Sequence, residues 1–260
     1  MISRAPDPSQ PVPATASPAI DALKQGMAFF NATPPDYERA VAWFRASAEA
    51  GHGDGLAMLG LCQLEGLGMA ADPEAARETL KQAAARRSAQ GRFQLGRALM
   101  TGRGGPADES AGLTAYVAAA SMGHAEATFN LASCLFAGVG CLPDRMAAKA
   151  LYLRARALGC TLKPNGVTVR RRELKVVRAL ARRFADPNLL FFLVQERQQE
   201  ISMAQAVTRP AHPGEAGPAD TRPLQRAGRL AAGVVAAMAG TLGQYLRPSA
   251  GDAGPTKMDF

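Results

Sequence analysis

A repeat of 36 residues organises the middle of this 260-residue chain. Leu59, Leu95 and Leu131 stand 36 apart, as do Gly66, Gly102 and Gly138, and again Gly68, Gly104 and Gly140. Asp36, Asp72, Asp108 and Asp144 carry the same register through four copies. A period in this range belongs to helical repeats, each too small to bury its apolar face alone. The chain is therefore expected to form a stack in which neighbours complete each other's core.

Each copy reads as two helices. In the first copy Tyr37, Ala40, Trp43, Phe44 and Ala48 recur at spacings of three and four, which marks one helical face. Asp36 stands where a side chain can cap free amides, and Gly51-His52-Gly53 closes the helix. A second helix then runs from Asp54 through Leu56, Leu59 and Leu64 to Gly66-Leu67-Gly68. Glycine accepts the left-handed conformation that a helix end needs. The pattern repeats over 72–87 and 89–100, then 108–122 and 125–137, and 144–158 supplies a fourth first helix. Leu23 lies one period before Leu59, so residues 18–30 are expected to form an incomplete leading unit.

Positions that hold steady between copies are expected to be packing or turn positions. Ala40, Ala76, Gly112 and Ala148 are small, and Phe44, Leu80, Tyr116 and Tyr152 are large, which lets helices interdigitate. Leu59, Leu95, Leu131, the paired glycines, Asp72, Asp108 and Asp144 make up the repeat framework. Positions that vary are expected to face solvent or a partner. Glu38, Glu74, Ser110 and Met146 form one such set; Arg45, Lys81, Val117 and Leu153 form another. From these, Glu38, Arg45, Glu74, Lys81, Val117 and Leu153 are the candidate partner-binding residues.

These residues resemble Sel1-like repeats, relatives of tetratricopeptide repeats. The third copy carries the resemblance best, with residues 119–127 reading AASMGHAEA, then Asn130-Leu131, Gly138-Val139-Gly140 and Asp144. The first copy matches at Ala48-Glu49-Ala50-Gly51-His52, Leu59-Gly60 and Gly66-Leu67-Gly68. The resemblance covers residues 18–160 and implies an all-α fold. That fold is an α/α superhelical solenoid of about four helix pairs, with capping helices after it. It also implies a non-enzymatic adaptor or scaffold that holds a protein or peptide. In copy two, Arg87-Ser88 replaces the Gly-His turn. One branch of the family is cysteine-rich and disulfide-stapled, with activity toward β-lactams. Cys62, Cys134, Cys141 and Cys160 do not fall on that branch's paired positions, so a β-lactamase-like enzyme is only the minor alternative.

The chain is expected to divide into a disordered segment over 1–17, the solenoid over 18–160, and a basic capping helix with a second helix over 161–207. A proline-rich linker at 208–223, an apolar helix at 224–247 and a disordered tail at 248–260 complete it. Residues 167–184 have a two-faced helical pattern, with Leu174, Val177, Leu180 and Phe184 on one side. Arg171, Arg172, Lys175, Arg178 and Arg182 form the opposite, basic face. Pro187 suits the first turn of a following helix. Residues 230–246, opening at Leu230 and closing at Leu246, carry no charge and are flanked by Arg229 and Arg247. That length is at the short limit for a bilayer span of roughly 20 residues. It leaves three readings: a docking or homo-oligomerising helix, a membrane tether, and a partly disordered segment. A membrane-associated adaptor is thus the alternative to a cytoplasmic one. An anionic membrane surface is then a further candidate partner, and nucleic acid is disfavoured because no aromatics interleave with the arginines.

The net charge of +8 bears on solubility and acidic partners, not on fold. Cys62 and Cys134 share a repeat position two periods apart, too far for a disulfide if repeats stack at roughly 10 Å. Buried thiols in a reducing compartment are expected. No metal site or cofactor is expected, because CxxC is absent and His52, His124 and His212 are scattered. No GxSxG, HExxH or Walker loop occurs, and Gly102-Arg103-Gly104-Gly105 belongs to the repeat turn. The first 18 residues hold five prolines and no apolar run, so no secretory signal is expected.

Overall fold

The computed structural model describes residues 18–208. Among these residues the fold is all-α, with ten helices in an antiparallel stack. The elements are α1 (Pro18–Phe30), α2 (Tyr37–Glu49), α3 (Gly53–Glu65), α4 (Pro73–Ala85) and α5 (Ala89–Thr101). They continue as α6 (Glu109–Ser121), α7 (Ala125–Ala137), α8 (Arg145–Ala157), α9 (Leu174–Arg183) and α10 (Leu190–Thr208). From α1 to α9 each helix packs on the next, and α3 also lies alongside α5. The last helix breaks the order and returns to α6.

Local chemistry sets the helix ends. Asp36, Asp72, Asp108 and Asp144 cap α2, α4, α6 and α8, each carboxylate accepting a backbone amide at 2.9–3.1 Å. This satisfies a donor that the first helical turn leaves free. The alternate helices are capped differently. His52 and His124 accept through Nδ1, and Ser88 accepts from Gly91 N at 2.8 Å. At the other end, Gly66, Gly102 and Gly138 take φ of 70°, 69° and 77°. Their amides donate to Cys62, Ala98 and Cys134.

Packing joins large side chains to bare backbone. Phe44 lies against Gly26, Leu80 against Gly60 and Tyr116 against Gly96, so close that an added Cβ would fall within 3 Å of each. Phe30 meets Phe44 at 6.0 Å and Phe93 meets Tyr116 at 6.2 Å, both tilted. One apolar cluster spans α1 to α3, and a larger one runs from α5 to α10. Leu190, Leu193 and Val194 of α10 belong to the larger one.

Two helix starts differ from the sequence expectation. Helix α9 begins at Leu174, not near residue 167, and Arg171 and Arg172 lie in the preceding turn. Glu173 holds that turn, its Oε2 accepting from Arg170 N at 2.9 Å and from Lys149 Nζ at 2.6 Å. Pro187 lies in the turn before α10, where Asp186 Oδ1 accepts from Asn188 N at 2.9 Å. Residues 230–246, like those at 1–17 and 209–260, lie outside the described residues.

Candidate functional site

The candidate partner-binding residues divide into two groups. Glu38 and Arg45 on α2 are exposed, as are Glu74 and Lys81 on α4. Residues seven apart share a helix face, so each pair lies on one side of its helix. One period separates Glu38 from Glu74 and Arg45 from Lys81. Helices α2 and α4, which both pack on α3, thus repeat the same acidic and basic positions. Lys81 Nζ also reaches Glu78 Oε2 at 3.1 Å.

Val117 and Leu153 depart from the expected exposure. Val117 is 3% exposed, and Leu153 is half-buried against the same apolar cluster. Over Val117 the covering element is α10, whose return over α6 brings Leu190, Leu193 and Val194 into that cluster, while Leu153 lies on α8, which packs against α7 and α9. Two polar contacts hold α10 there. Arg197 Nε donates to Asp144 Oδ2, and Gln198 bonds both backbone groups of Leu142. The anchors fall at i, i+3, i+4, i+7 and i+8, one continuous helical face. That spacing was present in the sequence, but it did not identify the surface the helix covers.

The basic residues are placed outward. Arg171, Arg172, Lys175, Arg178 and Arg182 are all exposed. The one acid among them, Glu173, is drawn to Lys149 and the Arg170 amide, contacts that hold its carboxyl below the usual carboxylate range.

The thiols are chemically quiet. All four cysteines are free. Burial pushes Cys62 and Cys141 up to about 12, and also pushes Cys134 well above an ordinary thiol. Thiols held this far from ionisation are poor nucleophiles at neutral pH. Among the described residues no group of three or more His, Cys, Asp or Glu could hold a metal ion. Nor is any described helix long and apolar enough to cross a membrane.

Buried polar side chains tie neighbouring units together. Arg77 Nη2 donates to Pro106 O at 2.8 Å, while Arg97 Nη1 donates to Gln94 Oε1 at 2.8 Å within α5. Arg103 reaches back to Glu65 and Leu64 O. His124 stacks on Phe93 with ring centroids 4.5 Å apart, and its Nε2 meets Gln90 Oε1 at 2.7 Å. Apart from the Arg97–Gln94 bond, these contacts link successive repeats.

The Sel1 repeat family profile matches four consecutive stretches, residues 26–52, 53–88, 89–124 and 125–160. Together they cover just over half of the chain. This protein belongs to the Sel1 repeat family. Members of this family are generally protein–protein interaction modules and non-enzymatic scaffolds. Among solved structures, the Sel1 repeat protein of Oxalobacter formigenes is similar, with 20% identity and a TM-score of 0.51. The alignment covers 63% of this chain and 70% of that one. A protective antigen of uropathogenic Escherichia coli strains, displaying an SLR fold, is similar at 19% identity and a TM-score of 0.50. It aligns over 76% of this chain, which spans 42% of the antigen's length. At these identities the likeness concerns the Sel1 fold alone. No curated protein matches the sequence.

Proposed function

We propose that this Sel1 repeat protein is a non-enzymatic adaptor that holds a protein or peptide segment on the exposed face of α2 and α4. The observation that carries the reading is the repeated pattern of exposed charges, Glu38 with Arg45 on α2 and Glu74 with Lys81 on α4. Exposed charges repeated at equivalent positions select partners by electrostatic complementarity and speed encounter. The matching segment carries basic side chains toward the glutamates and acidic ones toward Arg45 and Lys81. Val117 is buried and Leu153 half-buried, so the four exposed candidate positions are those on α2 and α4. Four free thiols are in keeping with a reducing, cytoplasmic setting.

The test is a variant that reverses the pattern without altering net charge: Glu38→Lys, Arg45→Glu, Glu74→Lys and Lys81→Glu together. All four side chains are exposed, so the fold is expected to persist, which circular dichroism checks. Full-length wild type and variant are crosslinked in cells, and partners are identified by mass spectrometry. Loss of crosslinks to α2 and α4 supports the reading. An unchanged partner set overturns it.

A further inference from the structure

The outer sides of α9 and α10 form a surface unlike the repeat face. On α9, Lys175, Arg178 and Arg182 are exposed, and Val176 between them is 52% exposed. Arg183 lies seven residues after Val176 and shares its flank of the helix. Arg183 Nη2 comes to 4.0 Å from Glu196 Oε2 on α10. Glu196 in turn shares its face with Phe192, four residues earlier, and Met203, seven later. Phe192 is 66% and Met203 62% exposed. The two outer faces therefore meet along an edge. The inner faces, with Val177 and Leu180 on α9 and Leu193 and Val194 on α10, are buried.

The charge on the α9 side is one-sided. Residues 170–183 contain seven Arg or Lys and one acid, Glu173. All seven cations are exposed, while Glu173 is turned to Lys149 at 2.6 Å. Large apolar side chains stand singly on two helical ridges, with cations around Val176 on α9 and the Arg183–Glu196 pair where the ridges meet. Protein interfaces deplete charge at their apolar centre. Interfacial helices mix the two, because apolar groups enter the headgroup boundary while Lys and Arg meet anionic headgroups.

We propose that the outer face of α9 and α10 docks on anionic lipid bilayers. Phe192 and Met203 enter the headgroup region, and Lys175, Arg178 and Arg182 meet the acidic headgroups. This docking does not use residues 230–246 and does not depend on the partner held at α2 and α4.

Vesicle flotation of the full-length protein tests it. Vesicles of phosphatidylcholine alone are compared with vesicles containing about one part in four phosphatidylglycerol. The protein is expected to float only with the anionic vesicles, and less so as salt rises. Lys175→Glu, Arg178→Glu and Arg182→Glu together are expected to weaken binding on the order of 100-fold. Phe192→Ser with Met203→Ser is expected to weaken it at high and low salt alike. Absence of binding to the anionic vesicles overturns the proposal, and so does equal binding to both kinds. Binding that survives the triple charge reversal also overturns it, because it then resides elsewhere in the chain. Capture of an acidic protein through these cations without vesicle binding overturns it in favour of a protein interface.

Discussion

Gln198 and Leu142 are joined by a reciprocal pair of hydrogen bonds. Leu142 N donates to Gln198 Oε1 at 2.7 Å, and Gln198 Nε2 donates to Leu142 O at 3.0 Å. One side-chain amide thus satisfies both main-chain groups of a residue in the α7–α8 turn. One period earlier the corresponding carbonyl, Pro106 O, accepts from Arg77 instead. The turn backbone therefore needs a polar partner in both copies, and the last helix supplies it where the stack ends. Gln198→Leu removes both bonds and leaves a half-buried donor and acceptor unpaired, at a cost of about 1–3 kcal/mol. Hydrogen exchange checks this: the Leu142 amide and α10 should exchange faster, while α2 to α4 stay unchanged.

Two glycines with similar φ should respond very differently to alanine. Gly104 has φ 73° and Gly123 has φ 84°. At Gly104 a Cβ would run into the carbonyl group of Pro73, whereas at Gly123 nothing lies within 4 Å. Gly123→Ala incurs only the left-handed backbone cost, about 1 kcal/mol. Gly104→Ala must also push α4 away from the turn and should cost roughly 3 kcal/mol or more. Urea unfolding of the two variants reads the difference directly.

Arg87 is a place where stability can be raised. Its φ is 60°, the one positive value outside glycine among the described residues. Gly51, Gly123 and Gly159 hold the same repeat position with φ of 91°, 84° and 94°. The Arg87 side chain is exposed. Arg87→Gly relieves the steric cost of the left-handed conformation. It also loosens the unfolded chain, which offsets part of the gain. A net stabilisation of about 0.5–1 kcal/mol is expected from a urea midpoint shift at unchanged slope.

The repeat framework was legible because helix ends are decided locally. An aspartate that accepts an amide three residues on, and a glycine that takes positive φ, work at fixed offsets and leave a period in the sequence. What fills the gaps between helices was harder to read. The period paired small with large positions, but it did not show that Gly26, Gly60 and Gly96 seat Phe44, Leu80 and Tyr116. The return of α10 left no periodic mark at all, since Gln198 and Leu142 are 56 residues apart. Val117 therefore looked like a partner position, when the surface over it belongs to the same chain. The early start expected for α9 failed for a related reason. Its apolar spacing ran on past Glu173, but the contacts to Lys149 and the Arg170 amide hold that stretch in a turn.

His124 gives the fold a pH dependence of predictable sign. Its Nδ1 accepts from Ala127 N at 3.2 Å as the cap of α7, which requires a lone pair there. Nε2 then carries the proton toward Gln90 Oε1 at 2.7 Å. Glu126 Oε2 lies 3.4 Å from Nδ1 and would favour a charged ring. Burial against Phe93 works the other way and is the stronger influence, so the ring is held below the ordinary histidine value of 6.5. A base whose folded value is lowered binds a proton more readily when unfolded. Its contribution is complete above pH 6.5 and is lost as the pH falls below that value. Melting temperature should accordingly decline between about pH 7 and 5. Asparagine caps a helix as well as histidine does and does not titrate. His124→Asn should therefore flatten that decline while changing stability little at pH 8. A variant that keeps the full wild-type slope would assign the pH dependence to another group.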